Sequence, residues 1–136
     1  MKTAYVAPVG NQTTRFGISE TLTQALLDAA RERLGLRLAS ESDADALIRV
    51  SIRRYSDEAV SFQGREDVGA EVFQRRVTIS ASVEIVDNAT QEVIWSAPAV
   101  SGVGEYEPGN ETEEAGMKVA LENLVQKIVD GAQSQW

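Results

Sequence analysis

The ten residues from Val77 to Val86 read Val77-Thr78-Ile79-Ser80-Ala81-Ser82-Val83-Glu84-Ile85-Val86, and they decide the fold. Because successive side chains of a β-strand point to opposite faces, this alternation of apolar and polar residues predicts a half-buried strand. The apolar set, expected to face a core, is Val77, Ile79, Ala81, Val83 and Ile85. The polar set, expected to face solvent, is Thr78, Ser80, Ser82 and Glu84. A sheet that is covered on one face only follows from this pattern.

Further strand-like stretches lie on both sides of this central one. The segment Ala46–Arg53 alternates in the same way, and we expect it to form the preceding strand. The glycine-containing segment Gln63–Gly69 predicts the tip of the hairpin that joins the two strands. A second turn, at Asp87–Gln91, leads into a strand predicted over Glu92–Val103.

The chain begins with a predicted strand followed by a predicted helix. The segment Lys2–Pro8 is short and β-prone, and its proline limits it to an edge or an end of a sheet. A helix is predicted over residues 18–34, because apolar residues recur there at three- and four-residue spacing: Ile18, Leu22, Ala25, Leu26 and Ala29. Ser19 is the expected N-cap, and Gly35 is expected to end the helix.

A second helix is predicted near the C-terminus. Its apolar stripe consists of Met117, Ala120, Leu121, Leu124 and Ile128. Asn110 with Glu113 three positions later resembles a capping box, and Thr112 is a competing cap. Gly131 is expected to end this helix.

The predicted element order is therefore β-α-β-β-β-α, which is an α+β fold. We expect a two-layer sandwich with two helices on one face of a four-stranded mixed sheet. The first two strands flank a crossover helix, so they are expected to be parallel. At 136 residues, the chain is expected to form a single domain over residues 1–136.

Composition excludes several classes of function. The net charge is −8, which gives nucleic-acid binding little electrostatic support. There is no cysteine and no histidine, so thiol nucleophiles, Cys/His zinc sites and imidazole acid–base chemistry are all excluded. No phosphate loop, nucleophile–base pair or metal-ligand spacing occurs in the sequence. We therefore expect a protein that is not an enzyme and that uses no cofactor or metal. A small-ligand carrier is a further alternative, although the sequence has only eight aromatic residues (three Phe, two Trp and three Tyr) to line a cavity.

Arginines cluster on the two arms of the predicted hairpin. Arg53 and Arg54 precede its tip, and Arg75 and Arg76 follow it, so the ladder is expected to bring the four together. Guanidinium groups match phosphate oxygens in bidentate fashion, and such a cluster predicts an anion-binding patch. The alternative is cross-strand ion pairing with nearby acids, namely Asp57, Glu58, Glu71 or Glu84.

Several stretches together resemble the LptE family of lipopolysaccharide-assembly lipoproteins. They are Lys2–Thr13, Gly17–Leu26, Asp43–Ile48 and Glu92–Trp95. The resemblance covers nearly the whole chain in the same element order. It implies two helices packed on a four-stranded sheet, attached to the periplasmic side of the outer membrane by a lipidated N-terminal cysteine. This chain contains no cysteine, so the anchor is implied by the resemblance alone.

The resemblance also implies partners and sites. The family acts as a plug and chaperone of the LptD β-barrel and contacts lipopolysaccharide during transport. For this chain we expect a barrel-contact surface at Thr78, Ser80, Ser82 and Glu84. We expect the phosphates of lipopolysaccharide to be bound by Arg53, Arg54, Arg75 and Arg76. The alternative family assignment is to the CsgG-like or LpoB-like envelope lipoproteins, which assemble secretion pores or activate peptidoglycan synthases.

Overall fold

A computed structural model describes residues 1–65 and 69–135, with side chains described for residues 1–60 and 74–135. The elements in chain order are β1 (Thr3–Val6), β2 (Gly10–Asn11), α1 (Ile18–Glu32), β3 (Arg37–Leu38), β4 (Ala46–Arg65), β5 (Gly69–Asp87), β6 (Glu92–Tyr106) and α2 (Glu113–Gln133). The centre of the predicted hairpin tip, residues 66–68, lies outside the described residues.

The sheet is mixed and open, in the order β3-β1-β4-β5-β6, with β2 also paired to β4. The strands β1 and β4 are parallel, as predicted, whereas β4–β5 and β5–β6 are antiparallel. The α+β class, the two helices and the mixed sheet are thus confirmed.

The predicted count of four strands is wrong, because six are present in the described residues. Pro8 has no N–H to donate to the ladder, so the expected first strand stops at Val6. Pairing with β4 resumes at Gly10 as the separate strand β2. The other strand that was not predicted is β3. It lies in the connection after α1 and pairs in parallel with β1 through Arg37 and Leu38.

Two of the predicted helix boundaries also need correction. In α1 the N-cap is Gly17 rather than Ser19, and the helix starts at Ile18. Of the two caps predicted for α2, Thr112 is the one used, because its side chain accepts a hydrogen bond from the Ala115 N–H at 3.3 Å. The expectation that Gly131 ends α2 is wrong too, since the helix continues to Gln133.

Close packing explains Gly131 better than helix termination does. A Cβ at Gly131 would overlap the indole ring of Trp95 on β6. Gly104 performs the same role at the other end of α2, where a Cβ would overlap the backbone oxygen of Gly116. Glycine at these positions therefore allows α2 to lie directly on β6 along its length. β6 also continues to Tyr106, past its predicted end at Val103, because Glu105 and Tyr106 pair with Arg76 and Arg75 on β5.

The predicted inward face of the central strand is confirmed. Its five apolar side chains are at most 3% exposed: Val77, Ile79, Ala81, Val83 and Ile85. They belong to one buried cluster that also contains the apolar stripes of both helices. Burial of these apolar side chains supplies the main favourable contribution to folding.

Candidate functional site

The polar side chains of β5 form a ladder on the open face of the sheet. The Oγ atoms of Ser80 and Ser101 on β6 are 2.6 Å apart, within hydrogen-bonding distance. Arg53 Nε donates to Ser82 Oγ at 3.1 Å, and Arg49 pairs with Glu84 at 3.3 Å. Thr78, Ser80, Ser82 and Glu84 are all half-buried rather than fully exposed. Ser80, Ser82 and Glu84 thus share one hydrogen-bonded surface, and Thr78 lies on the same face of the strand.

The open face is not polar along its whole length. At the end nearest the N-terminus, four strands place apolar residues side by side in register: Tyr5, Leu47, Val86 and Val93. Leu47 and Val86 are each 3% exposed, whereas Val93 is 52% exposed. Along the strands, the open face therefore has an apolar end, and the rest of the face carries hydroxyl and charged groups.

The four predicted arginines do not form one patch. Arg76 is on the open face, where its guanidinium pairs with Glu105 at 2.8 Å. Arg75 lies on the helix-covered face and pairs with Asp57 at 2.9 Å. Adjacent residues of a strand point to opposite faces, so the alternation used for Val77–Val86 could have separated these two arginines. The prediction of a single patch of four is corrected to three on one face and one on the other.

Arg53 and Arg54 share the open face even though they are adjacent. The register with β5 shifts between Ile52 and Arg54, which inserts Arg53 as an extra residue. Arg54 is then opposite Ser80, and it has no ion pair among residues 1–60 and 74–135. Among the described side chains, the alternative of cross-strand ion pairing therefore accounts for Arg75 and Arg76 but not for Arg54.

The Arg75–Asp57 pair, which the sequence offered as an alternative, belongs to a polar cluster on the helix-covered face whose tyrosine no sequence pattern indicated. The Asp57 carboxylate accepts hydrogen bonds from Tyr106 Oη at 2.7 Å and Arg75 Nε at 2.9 Å. Burial alone would raise the pKa of Asp57, but these two donors hold that pKa below its ordinary value. Burial and the nearby Asp57 carboxylate raise the pKa of Tyr106. The cluster is therefore an ionised carboxylate held between a neutral tyrosine and an arginine.

A second group of contacts adjoins this cluster. Tyr55 Oη donates to Glu113 Oε2 at 2.6 Å, and Arg15 pairs with the same Glu113 oxygen at 2.9 Å. The Arg15 guanidinium also lies 5.4 Å from the centroid of the Tyr55 ring, within cation–π range. Burial and the Glu113 carboxylate raise the pKa of Tyr55. These contacts connect the loop before α1, the strand β4 and the first turn of α2.

The β4–β5 hairpin extends past the rest of the sheet. The last β5–β6 pair is Arg75 with Tyr106, whereas the β4–β5 ladder continues to Arg65 with Gly69. We call residues 60–65 and 69–74 the arm. At about 3.3 Å per residue, the arm reaches roughly 20 Å beyond the last pair with β6.

An apolar groove of about 340 Å³ lies between α1 and α2 and is lined by Ala25, Ala29, Met117, Leu121 and Val125, among others. Among the described residues, no group of three or more Asp or Glu side chains is placed to hold a metal ion. Within the described part of the chain, neither helix is long and apolar enough to cross a bilayer.

This fold, two helices against an open mixed sheet, recurs in several solved structures. The hypothetical protein CT253 from Chlamydia trachomatis has a TM-score of 0.69 at 10% identity, covering 99% of this chain and 96% of that one. An uncharacterized lipoprotein B from Nitrosomonas europaea has a TM-score of 0.65 at 12% identity, covering 98% and 84%. A minor lipoprotein from Acinetobacter baumannii has a TM-score of 0.60 at 12% identity, covering 98% and 93%. At these identities the similarity shows the fold alone.

The sequence itself identifies the family. The model of the LptE family, described as lipopolysaccharide-assembly, matches residues 1–131 of the 136-residue chain. The chain therefore belongs to the LptE family, which confirms the resemblance seen in its strand and helix patterns. A comparison with curated proteins found no significant match. Family membership supports a role in lipopolysaccharide assembly in the cell envelope, in a family of non-enzymatic assembly proteins.

Proposed function

We propose that this protein is the plug and chaperone of an LptD-like outer-membrane β-barrel, acting as a single LptE-like domain over residues 1–136. In this proposal it is a lipoprotein on the periplasmic side of the outer membrane, attached through a lipid anchor. The family match supports the assembly role. The observation that carries the barrel contact is the polar ladder of Thr78, Ser80, Ser82 and Glu84 on the open face, where the last three are held by hydrogen bonds or an ion pair.

The chemistry of the ladder suits a barrel interior. The lumen of an outer-membrane barrel is lined by polar side chains, in contrast to its lipid-facing exterior. Small hydroxyl groups on an open sheet face retain bound waters, which bridge two polar surfaces at little cost in affinity. The half-buried Ser80–Ser101 pair and the Arg49–Glu84 pair hold the ladder in place before any partner is bound. Such a preorganised surface loses little side-chain entropy on docking.

Arginine substitutions on the two faces test this orientation. The Ser80→Arg/Ser82→Arg variant places two long cations on the ladder, and we expect it to lose co-purification with the cognate LptD-like barrel. The matched control is Thr21→Arg/Val119→Arg, which adds the same charge at exposed positions on the two helices. Both variants must first show native circular dichroism. Loss of the complex by the helix variant alone would mean that the helices, and not the sheet, face the barrel.

We further propose that the arginines of the open face contact the phosphates of lipopolysaccharide. Arg54 carries this proposal, because it is exposed and has no ion pair among residues 1–60 and 74–135. Arg53 and Arg76 lie on the same face, while Arg75 is engaged by Asp57 on the other face. A chain of net charge −8 repels a polyanion overall, so contact requires a local concentration of positive charge.

A salt titration distinguishes the three arginines of the open face from Arg75. Lipopolysaccharide binding by the native protein should weaken as salt rises, because exposed charges interact over only about 8–10 Å at physiological ionic strength. The Arg53→Gln/Arg54→Gln/Arg76→Gln variant should bind more weakly and with a shallower salt dependence. Arg75→Gln is the control and should keep the native salt dependence. Equal binding by the triple variant and the native protein would exclude the open face as the phosphate site.

A further inference from the structure

The arm extends beyond the apolar core that stabilises the rest of the sheet. On the inward face of β5 the last buried apolar residue before the arm is Val77, and the next inward position is Arg75. Within the described residues the arm is a ribbon of two strands, with no third strand paired to it. Two-stranded ribbons are at best marginally stable alone in water. Whether the arm stays ordered therefore depends on the contacts at its base, next to the last β5–β6 pair.

Polar contacts hold that base where the apolar core ends. Asp57 and Arg75 join β4 to β5 twice, since Arg75 donates to both the carboxylate and the backbone oxygen of Asp57 at 2.9 Å. Tyr106 Oη adds β6 through its 2.7 Å bond to the same carboxylate. These bonds lie at the last β5–β6 pair, immediately before the arm begins.

The second group of contacts extends this attachment to α2. Tyr55 and Asp57 are two residues apart on β4, so their side chains share one face. Tyr55 donates to Glu113 at 2.6 Å, and Glu113 is in the first turn of α2, where the helix dipole favours a carboxylate. Arg15 binds the same carboxylate at 2.9 Å from the loop before α1. We call the six residues Arg15, Tyr55, Asp57, Arg75, Tyr106 and Glu113 the brace.

We infer that the brace acts as a latch: when its contacts break, the arm and the first turn of α2 unfold locally together while the core stays folded. Its members are joined by hydrogen bonds and ion pairs, and only Tyr106 among them belongs to the buried core cluster, so opening the latch exposes the edge of the core. Proteins open in contiguous cooperative units of this kind, at free energies below that of global unfolding. The inference goes beyond the proposed barrel contact and does not depend on it, because the latch belongs to the isolated protein.

Native-state hydrogen exchange followed by mass spectrometry tests the latch. The variants are Tyr106→Phe and Tyr55→Phe, each of which removes one hydroxyl and keeps the ring. We expect either variant to accelerate exchange roughly tenfold both in the arm and at residues 113–117, because a bond to a charged group is lost. In the native protein the core segments 46–52 and 79–86 should exchange more slowly than either region, because they open only on global unfolding. Tyr5→Phe, at the opposite end of the sheet, is the matched control and should change neither region.

Three results would overturn the inference. Acceleration confined to the arm in Tyr106→Phe and to residues 113–117 in Tyr55→Phe would mean that the two groups of contacts open independently. Arm and residue 113–117 amides that exchange as slowly as the core segments in the native protein would mean that both regions open only by global unfolding. Arm amides that already exchange at unprotected rates in the native protein would mean that nothing latches the arm.

Discussion

Tyr106 and Asp57 are 49 residues apart in sequence, and their side chains meet across the sheet in a 2.7 Å hydrogen bond from the tyrosine hydroxyl to the carboxylate. The bond joins the end of β6 to β4, although β5 lies between them in the sheet. It reaches across on the helix-covered face, over the position where Arg75 also binds Asp57. The stability of this end of the domain therefore depends on a carboxylate with two donors.

Removing one of those donors should measurably destabilise the protein. Tyr106→Phe leaves Asp57 with Arg75 as its remaining side-chain donor, and a bond to a charged group contributes about 1.5–3 kcal/mol. We expect the free energy of unfolding in urea to fall by about that amount, with an unchanged m-value. The control is Tyr5→Phe, which should change stability by less than about 0.5 kcal/mol, as is usual away from such contacts. Equal stability of the two variants would show that the bond contributes nothing net.

The lowered pKa of Asp57 predicts a pH dependence of stability. Because the folded-state pKa lies below the unfolded value of about 3.9, the contribution is fully present above that unfolded value. It is lost as the pH falls through the folded-state pKa. We expect Asp57→Asn to be less stable than the native protein at pH 7 and the two stability curves to converge at low pH.

The free energy of unfolding of the Asp57→Asn variant should still fall at acid pH, although less than that of the native protein. The pKa of Asp45 is also lowered, since its carboxylate accepts hydrogen bonds from the backbone N–H groups of Lys2 and Thr3. Urea unfolding measured from pH 2 to 7 should therefore show the smallest loss of stability at acid pH in the Asp45→Asn/Asp57→Asn variant. Parallel curves for Asp57→Asn and the native protein across that range would contradict the assigned role of Asp57.

A glycine-to-alanine substitution in α2 should act against its usual direction. In an exposed helix interior, Gly→Ala stabilises by about 1 kcal/mol. At Gly131 the new Cβ would overlap the Trp95 ring, so we expect destabilisation of about 1–3 kcal/mol instead. Thermal unfolding gives the sign directly. In the Trp95→Leu background, Gly131→Ala should cost less stability than it does alone, which a comparison of Gly131→Ala/Trp95→Leu with Trp95→Leu measures. A higher midpoint for Gly131→Ala by itself would mean that the helix does not pack on Trp95.

A charge in the inward face of the central strand should unfold the protein. Val83 is 3% exposed, and Val83→Asp would bury a carboxylate without a partner, at a cost of several kcal/mol. The matched control is Ser82→Asp, one residue away on the open face and within reach of Arg53. Circular dichroism at 25 °C should show loss of the folded state for the first variant only. An unchanged melting midpoint for Val83→Asp would reverse the assignment of the two faces.

Much of the architecture follows from local patterns in the chain. Alternation from Val77 to Val86 determined which residues enter the core, because side-chain direction repeats every two residues whatever the strand pairs with. The apolar stripes of the two helices did the same for α1 and α2. The absence of cysteine and histidine limited the available chemistry through composition alone. The strand and helix inferences each use residues within a few positions of one another.

Only the tertiary structure decided which distant residues meet. The extra residue at Arg53 puts two neighbouring arginines on one face, and no local signal marks that irregularity. The brace depends on strand register and on how closely α2 approaches β6 at Gly104 and Gly131. Local sequence determines the direction of a side chain relative to its own backbone. The partner of that side chain is determined by the packing of the whole core, because register and close approach are set by all the contacts at once.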